Sequence, residues 1–232
     1  MEIVFSFFAL SLLEIVLGID NLIFIALIVQ KLPSAVAGKV RLIGLSLALI
    51  IRIIMLLCIT WVMSLIQPIF SLSSIDFSVK DLLLIAGGLF LITKSTLEMH
   101  IDITRREAKQ NKMQAKEGFA LAVAQVVLID FIFSFDSIIT AVGLTKHTGI
   151  IIAAIFISMI VMLHSSSYIS DLLKKHPTFK MLALSFILMI GTLLLAEGLH
   201  FYIPRGYVYF SFAFAMLVES LNTLVRVNSY KK

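Results

Sequence analysis

The chain opens on IVFSFFALSLLEIVLGIDNLIFIALIVQ, residues 3–30, an almost unbroken run of apolar side chains. At about 1.5 Å per residue, an α-helix of this length crosses the roughly 30 Å hydrocarbon core of a bilayer. The run does not have the pattern of a cleaved signal peptide, because Glu2 stands where a cationic residue is expected and Glu14, Asp20 and Asn21 interrupt the apolar stretch. We therefore predict that these residues form a first transmembrane helix.

Six further stretches have the same apolar character. They run over residues 41–66, 81–98, 118–145, 149–171, 180–199 and 206–225. The composition agrees, since 60% of the 232 residues are hydrophobic and only 14% are charged, against about 25% charged in a typical soluble domain. The predicted fold class is all-α, a polytopic membrane protein with seven transmembrane helices.

Lysine and arginine are distributed unevenly over the two sides of these spans. Of the 19 such residues, Arg52 lies inside the second span and three lie on one side, namely Lys80, Lys146 and Arg205. The other fifteen share the opposite side: Lys31, Lys39, Arg41, Lys94, Arg105, Arg106, Lys109, Lys112, Lys116, Lys174, Lys175, Lys180, Arg226, Lys231 and Lys232. Because cytoplasmic loops are richer in Lys and Arg, we predict an outside N-terminus and a cytoplasmic C-terminus. The net charge of +5 then reflects topology, and no nucleic-acid partner is expected.

One acidic pattern occurs twice. Span one contains Glu14-Ile-Val-Leu-Gly18-Ile-Asp20-Asn21 and span four contains Asp130-Phe-Ile-Phe-Ser134-Phe-Asp136-Ser137. The copies are three helices apart, so homologous halves would be inserted in opposite orientations, as in many secondary transporters. We predict repeats over residues 1–98 and 118–199, a charged cytoplasmic loop over 99–117, and a seventh helix with a cytoplasmic tail over 200–232.

The repeated acids are expected near the membrane midplane, where each carboxylate costs about 2.5 to 3.5 kcal/mol. A positive partner must therefore meet them: Arg52 could neutralise one, protons could neutralise others, and a divalent ion could neutralise two. A local unwinding at Gly18 would turn Asp20 towards the face that Glu14 and Asn21 share.

The ligands in these motifs are carboxylate, amide and hydroxyl oxygens. This hard oxygen set suits Mn²⁺, Mg²⁺ or Ca²⁺ better than copper or zinc. The single cysteine, Cys58, lies in an apolar run and allows neither an intramolecular disulfide nor a thiolate cluster. We expect no bound cofactor, and a divalent cation as the transported species.

The two motif helices resemble the signature helices of the TerC family. The resemblance covers almost the whole chain and extends to the stretches from Arg41 to Arg52, from Gly87 to Lys94, at His176-Pro177, and from Leu188 to Gly198. It implies a bacterial inner-membrane protein of the LysE-like transporter superfamily, with manganese efflux as its role and tellurium resistance as its historical name. Within the family the chain is most similar to a compact subgroup without added cytoplasmic domains. Carried over by motif, the metal site would comprise Glu14, Asp20, Asn21, Asp130, Asp136 and Ser137.

Five more residues are candidates for coupling or counter-ion roles, each beside a structural interpretation. They are Arg52, Lys94, His164, Glu197 and Glu219. Arg52 is equally explained as a counter-ion that holds spans together, and Lys94 as a side chain that reaches the interface. His164 is explained as a helix-packing residue, and the two glutamates as interfacial acids.

Two other functions stay open from the sequence. One is a proton-coupled carrier of an organic cation or an oxyanion, of the tellurite-resistance type, in which Arg52 binds the substrate. The other is a membrane partner that delivers metal to secreted proteins without transporting it. No phosphate-binding loop or cofactor signature is present, so an enzyme is not expected. The lipid bilayer is the expected environment, and a homo-oligomer is a further possibility.

Overall fold

The computed structural model describes residues 2–72, 75–104, 115–145 and 147–229. Within these ranges the chain forms nine α-helices and one short hairpin. The helices are α1 (Glu2–Leu17), α2 (Ile19–Val29), α3 (Ser34–Leu57), α4 (Ile59–Ser64), α5 (Val79–Thr104), α6 (Ala115–Leu144), α7 (Thr148–Lys175), α8 (Pro177–Gly198) and α9 (Arg205–Ser229). The strands are β1 (Pro68–Leu72) and β2 (Ile75–Ser78).

The described helices confirm the prediction of an all-α polytopic membrane protein. Six of them are long and apolar enough to cross a membrane, and the bent pair α1 and α2 supplies a seventh span if it is counted as one. Each predicted apolar stretch coincides with one of these seven spans. Hydropathy finds them because a membrane helix must present apolar side chains along its full length.

The first span is bent at Gly18. The axes of its two helical segments differ by 41°, at the residue where the sequence suggested a local unwinding. A Cβ atom at Gly18 would lie 2.8 Å from the sulfur of Met162 on α7. The missing side chain therefore allows α7 to pack against the bend.

The antiparallel hairpin β1–β2 follows α4 and was not predicted. It pairs Phe70 with Phe77, and the rings of these two residues stack at 5.4 Å. The next helix begins with a capping box: the Asp81 amide donates to the Ser78 hydroxyl at 3.2 Å, and the Ser78 amide donates to the Asp81 carboxylate at 2.7 Å. This cap starts α5 at Val79, immediately after the hairpin.

The predicted charged loop over residues 99–117 is only partly covered by the described residues. Helix α5 continues to Thr104 and α6 begins at Ala115, so both ends of that segment are helical. The remainder, residues 105–114, lies outside the described residues, as do the cations Lys146, Lys231 and Lys232 that entered the topology prediction.

Contacts divide the chain into two compact units. Unit 1 comprises Met1–Leu83 with Asn111–Asp171, and unit 2 comprises Leu84–Gln110 with Leu172–Lys232. The core of unit 1 contains apolar side chains from α1, α3, α4, α6 and α7, including Leu10, Met55, Val62, Ile138 and Ile155. Both copies of the acidic motif belong to unit 1.

Within unit 2, α5 and α8 make a close backbone contact at two glycines. A Cβ atom at Gly88 would lie 2.6 Å from the carbonyl oxygen of Gly191 and 2.8 Å from the amide nitrogen of Leu195. Small residues at a helix crossing allow such an approach in membranes. On the other side of α8, the ring of Phe186 stacks at 4.0 Å on that of Phe212 from α9.

Gly88→Ala is therefore expected to lower the free energy of unfolding by about 1 to 3 kcal/mol, since the new methyl group meets backbone atoms that cannot turn away. The measurement is unfolding of the purified protein in detergent. Gly143→Ala on α6 is the matched control, because nothing lies within 4 Å of a Cβ atom there. Equal unfolding free energies for the two variants would contradict the assigned crossing.

Candidate functional site

Four buried polar residues from four helices meet inside unit 1. They are Glu14 on α1, Asn21 on α2, Arg52 on α3 and Asp130 on α6, and each is no more than 2% exposed. We call these four residues the Arg52 cluster. It unites one acid from each copy of the sequence motif with the cation of the second span.

Arg52 joins the two acids. Its Nη1 donates to Glu14 Oε2 at 2.9 Å, its Nη2 donates to Asp130 Oδ1 at 2.8 Å, and its Nε donates to Asp130 Oδ2 at 3.1 Å. The contact with Asp130 is thus bidentate, the geometry that suits a guanidinium and a carboxylate. In this conformation Arg52 is therefore paired with two carboxylates, which is the contact expected of a counter-ion.

Asp130 is surrounded by protein donors. Besides Arg52, Asn21 Nδ2 donates to Asp130 Oδ1 at 3.0 Å and the Ser134 hydroxyl lies 3.0 Å from Oδ2. The same hydroxyl also approaches the Asp130 carbonyl oxygen at 2.5 Å. Oδ1 of Asp130 therefore has two donors within 3.0 Å, and Oδ2 has one from Arg52 and shares the Ser134 proton with the carbonyl oxygen.

Two acceptors of the Arg52 cluster remain unused. Glu14 Oε1 and Asn21 Oδ1 are buried and have no hydrogen-bond partner among the described residues. Buried oxygens are nearly always hydrogen-bonded or bound to an ion. The cluster also pairs two carboxylates with one guanidinium, so it carries one surplus negative charge when both acids are ionised. Both features suit an added cation or proton.

The other predicted site residues are placed differently. Asp20 is buried in the first turn of α2, and Ser137 is buried on α6, where its hydroxyl donates to the Ser134 carbonyl at 3.3 Å. Asp136 is 22% exposed and pairs with Lys80, from the first turn of α5, at 3.2 Å. The structure thus brings Glu14, Asn21 and Asp130 together, with the Ser137 side chain within reach of Glu14, and pairs Asp136 with a lysine.

Sequence reasoning did not assign two of these partners. Ser134 was not assigned to the site, although its position four residues after Asp130 places both on one face of a helix. Lys80 appeared only as a cation in the topology count. No sequence signal linked it to Asp136, because the two are 56 positions apart.

The remaining candidates for coupling have ordinary surroundings. In unit 2, Glu197 accepts from Arg205 at 3.1 Å, Lys94 is half-buried on α5, and Glu219 accepts from Asn222 at 3.4 Å. In unit 1, His164 is exposed on α7 and its ring lies 6.1 Å from that of Tyr168. Their proposed coupling roles stay predictions.

The described acidic side chains do not form a complete metal-binding site. Over the part of the chain that the structure describes, no group of three or more His, Cys, Asp or Glu side chains is placed to hold a metal ion. An ion at the Arg52 cluster would therefore have at most two carboxylate ligands. Its other ligands would be neutral oxygens, such as the amide of Asn21 or the hydroxyl of Ser137.

Comparison with protein-family models gives a match to the family described as the integral membrane protein TerC family, over residues 1–232. The chain belongs to the TerC family. The match confirms the resemblance seen in the two motif helices.

Proteins similar to this chain occur in Escherichia coli K12. The chain is 44% identical over 216 residues to the UPF0053 inner membrane protein YgdQ. This match covers 93% of this chain and 90% of YgdQ. The chain is 43% identical over 219 residues to the UPF0053 inner membrane protein YoaE, and this match covers 94% of this chain but only 42% of YoaE. The UPF0053 protein YegH is 41% identical with the same two coverages. No solved structure matches the chain.

Proposed function

We propose that this protein is a carrier that exports a hard divalent cation, with Mn²⁺ as the first candidate. The observation that carries the proposal is the Arg52 cluster, in which acids from both motif copies meet in the interior of unit 1. Ionisable residues inside membrane helices are costly and mark ion pathways. The surplus negative charge and the two unused oxygens of the cluster favour a cation as the substrate.

The ligand chemistry narrows the class of cation. The cluster offers carboxylate and amide oxygens, and Asp20 and Ser137 add the same kind of donor on α2 and α6. Oxygen donors favour Mn²⁺, Mg²⁺ and Ca²⁺ over copper and zinc. In this proposal the ion binds between spans one and four. The two predicted repeats then expose this binding site alternately to each side of the membrane.

We also propose the membrane in which the chain lies and the orientation of its two termini. The relatives YgdQ and YoaE are named inner membrane proteins, which supports the bacterial inner membrane as the location. The distribution of Lys and Arg supports an outside N-terminus and a cytoplasmic C-terminus. Export would then carry the ion from the side of the C-terminus to that of the N-terminus, in exchange for protons or down the ion's own gradient.

The observations weigh against an oxyanion as the substrate. Such a substrate would need the guanidinium of Arg52, whose Nε, Nη1 and Nη2 all donate to carboxylates. A buried, anion-rich cluster would also repel a second anion. A carrier is favoured over a metal-delivery partner because the acids are buried within the spans, where a protein partner has no access to them.

The deciding experiment is Mn²⁺ flux into or out of liposomes that contain the purified full-length chain. We expect flux well above that of protein-free liposomes, reduced in competition by Ca²⁺ or Mg²⁺ and insensitive to tellurite. Liposomes that take up tellurite but no divalent cation would support the alternative carrier. The absence of flux for all of these solutes would exclude transport of the proposed kind.

A further inference from the structure

The Arg52 cluster contains a cation already, and that cation belongs to the protein. We propose that the Arg52 guanidinium competes with the transported cation, occupying the carboxylate site when the ion is absent and leaving it when the ion binds. This inference rests on the proposed function, because it concerns the same site. It assigns Arg52 a role in regulating occupancy, beyond that of a fixed counter-ion.

The first argument is the saturation of Asp130. Oδ1 accepts from Arg52 and Asn21, and Oδ2 accepts from Arg52 and lies 3.0 Å from the Ser134 hydroxyl, whose one proton is shared with the Asp130 carbonyl oxygen. A divalent ion needs an accessible lone pair on its carboxylate ligand. Binding of an ion to Asp130 is therefore favoured when a donor withdraws, and Arg52 supplies two of the donors.

The second argument is charge. Arg52 is 2% exposed and its guanidinium contacts both acids. A divalent ion within contact distance of the same carboxylates would face that guanidinium across a few ångströms of a poorly screening interior. Two carboxylates and one divalent ion form a neutral set, whereas adding Arg52 gives the set a net positive charge. Joint occupancy is thus disfavoured, and exchange of one cation for the other is favoured.

The third argument is the second carboxylate oxygen of Glu14, which Arg52 does not contact. Only Oε2 of Glu14 accepts from Arg52, while Oε1 has no partner among the described residues. Glu14 thus offers an incoming ion a first ligand before Arg52 has moved. The ion would then take Asp130 as the guanidinium withdraws, so that the two acids exchange one cation for another in steps.

The test compares the Mn²⁺ affinity of the purified chain with that of Arg52→Gln, by calorimetry with the metal alone. We expect the dissociation constant of Arg52→Gln to be lower by at least about 10-fold, because the apparent dissociation constant of a site is its intrinsic value divided by the fraction of molecules in which the site is free. Lys180→Gln is the matched control. It also removes a cation that pairs with acids, Glu98 at 3.7 Å and Asp102 at 2.5 Å in unit 2, and should leave the affinity unchanged.

The outcomes separate this inference from the proposed function. Unchanged or weaker Mn²⁺ binding by Arg52→Gln, in a wild-type protein that transports Mn²⁺, overturns the competition and leaves transport intact. If neither protein binds Mn²⁺, the proposed function fails and the inference fails with it. If Arg52→Gln is not monodisperse in detergent, Arg52→Lys decides. A lysine keeps the charge but lacks the bidentate fork, so a threefold or greater gain in affinity supports competition and no gain overturns it.

Discussion

Glu14→Gln is expected to reduce Mn²⁺ flux by at least about 100-fold in liposomes, the largest functional effect of any single substitution proposed for this chain. Glutamine keeps the size of the side chain but removes the negative charge that compensates a cation at this depth. A factor of 100 corresponds to about 2.7 kcal/mol, which is similar to the cost of one uncompensated charge inside the membrane. The measurement is the initial rate of flux at equal amounts of inserted protein.

The matched control for that substitution is Glu98→Gln on α5. Glu98 is also a buried acid with a basic partner inside a membrane helix, and it lies in unit 2. Its replacement should leave Mn²⁺ flux within about twofold of the wild-type rate if transport depends on the Arg52 cluster. Equal losses in both variants would indicate a general requirement for buried acids, and unchanged flux in Glu14→Gln would reject the assigned site.

Asp130→Ala is expected to have the largest effect on stability, lowering the free energy of unfolding by about 3 to 5 kcal/mol. The substitution leaves the guanidinium of Arg52 buried with a single carboxylate contact and removes the acceptor of Asn21. A guanidinium cannot escape this situation by losing its proton. Unfolding in detergent, followed by circular dichroism against increasing denaturant, measures the change.

A partly exposed acid of the same helix provides the comparison. Asp136 pairs with Lys80, and both side chains are 22% exposed. Asp136→Ala should therefore cost about 1 kcal/mol or less, as expected for ion pairs with access to solvent. If the two alanine variants unfold at the same denaturant concentration, the burial assigned to the Arg52 cluster is wrong.

The sequence predicted the spans because hydropathy depends on composition along one helix. It did not predict the hairpin β1–β2, whose nine or so residues are too few for a clear alternating pattern between two apolar spans. Nor did it predict the interruption at Cys58, between α3 and α4. At Gly18 the structure has a 41° bend where an unwinding was suggested, and the turning of Asp20 towards the face of Glu14 and Asn21 stays a prediction.

The sequence predicted which residues belong to the candidate site better than it predicted which of them contact each other. Repetition of the motif identified Glu14 and Asp130, and the depth of Arg52 suggested a counter-ion. Which acid Arg52 would contact, and that it would contact two, depends on how α1, α3 and α6 pack, and a single sequence does not contain that information. The pairing of Asp136 with Lys80 could not be predicted for the same reason, because it depends on where α5 begins.

Helix α9 differs from the other spans in what surrounds it. Only 6% of its most apolar window is buried inside the protein, so acyl chains, rather than other helices, supply most of its contacts. Exchanges among the exposed Leu, Phe and Val side chains of α9 should accordingly change stability very little, whereas Phe212, which stacks on Phe186, should tolerate replacement less well.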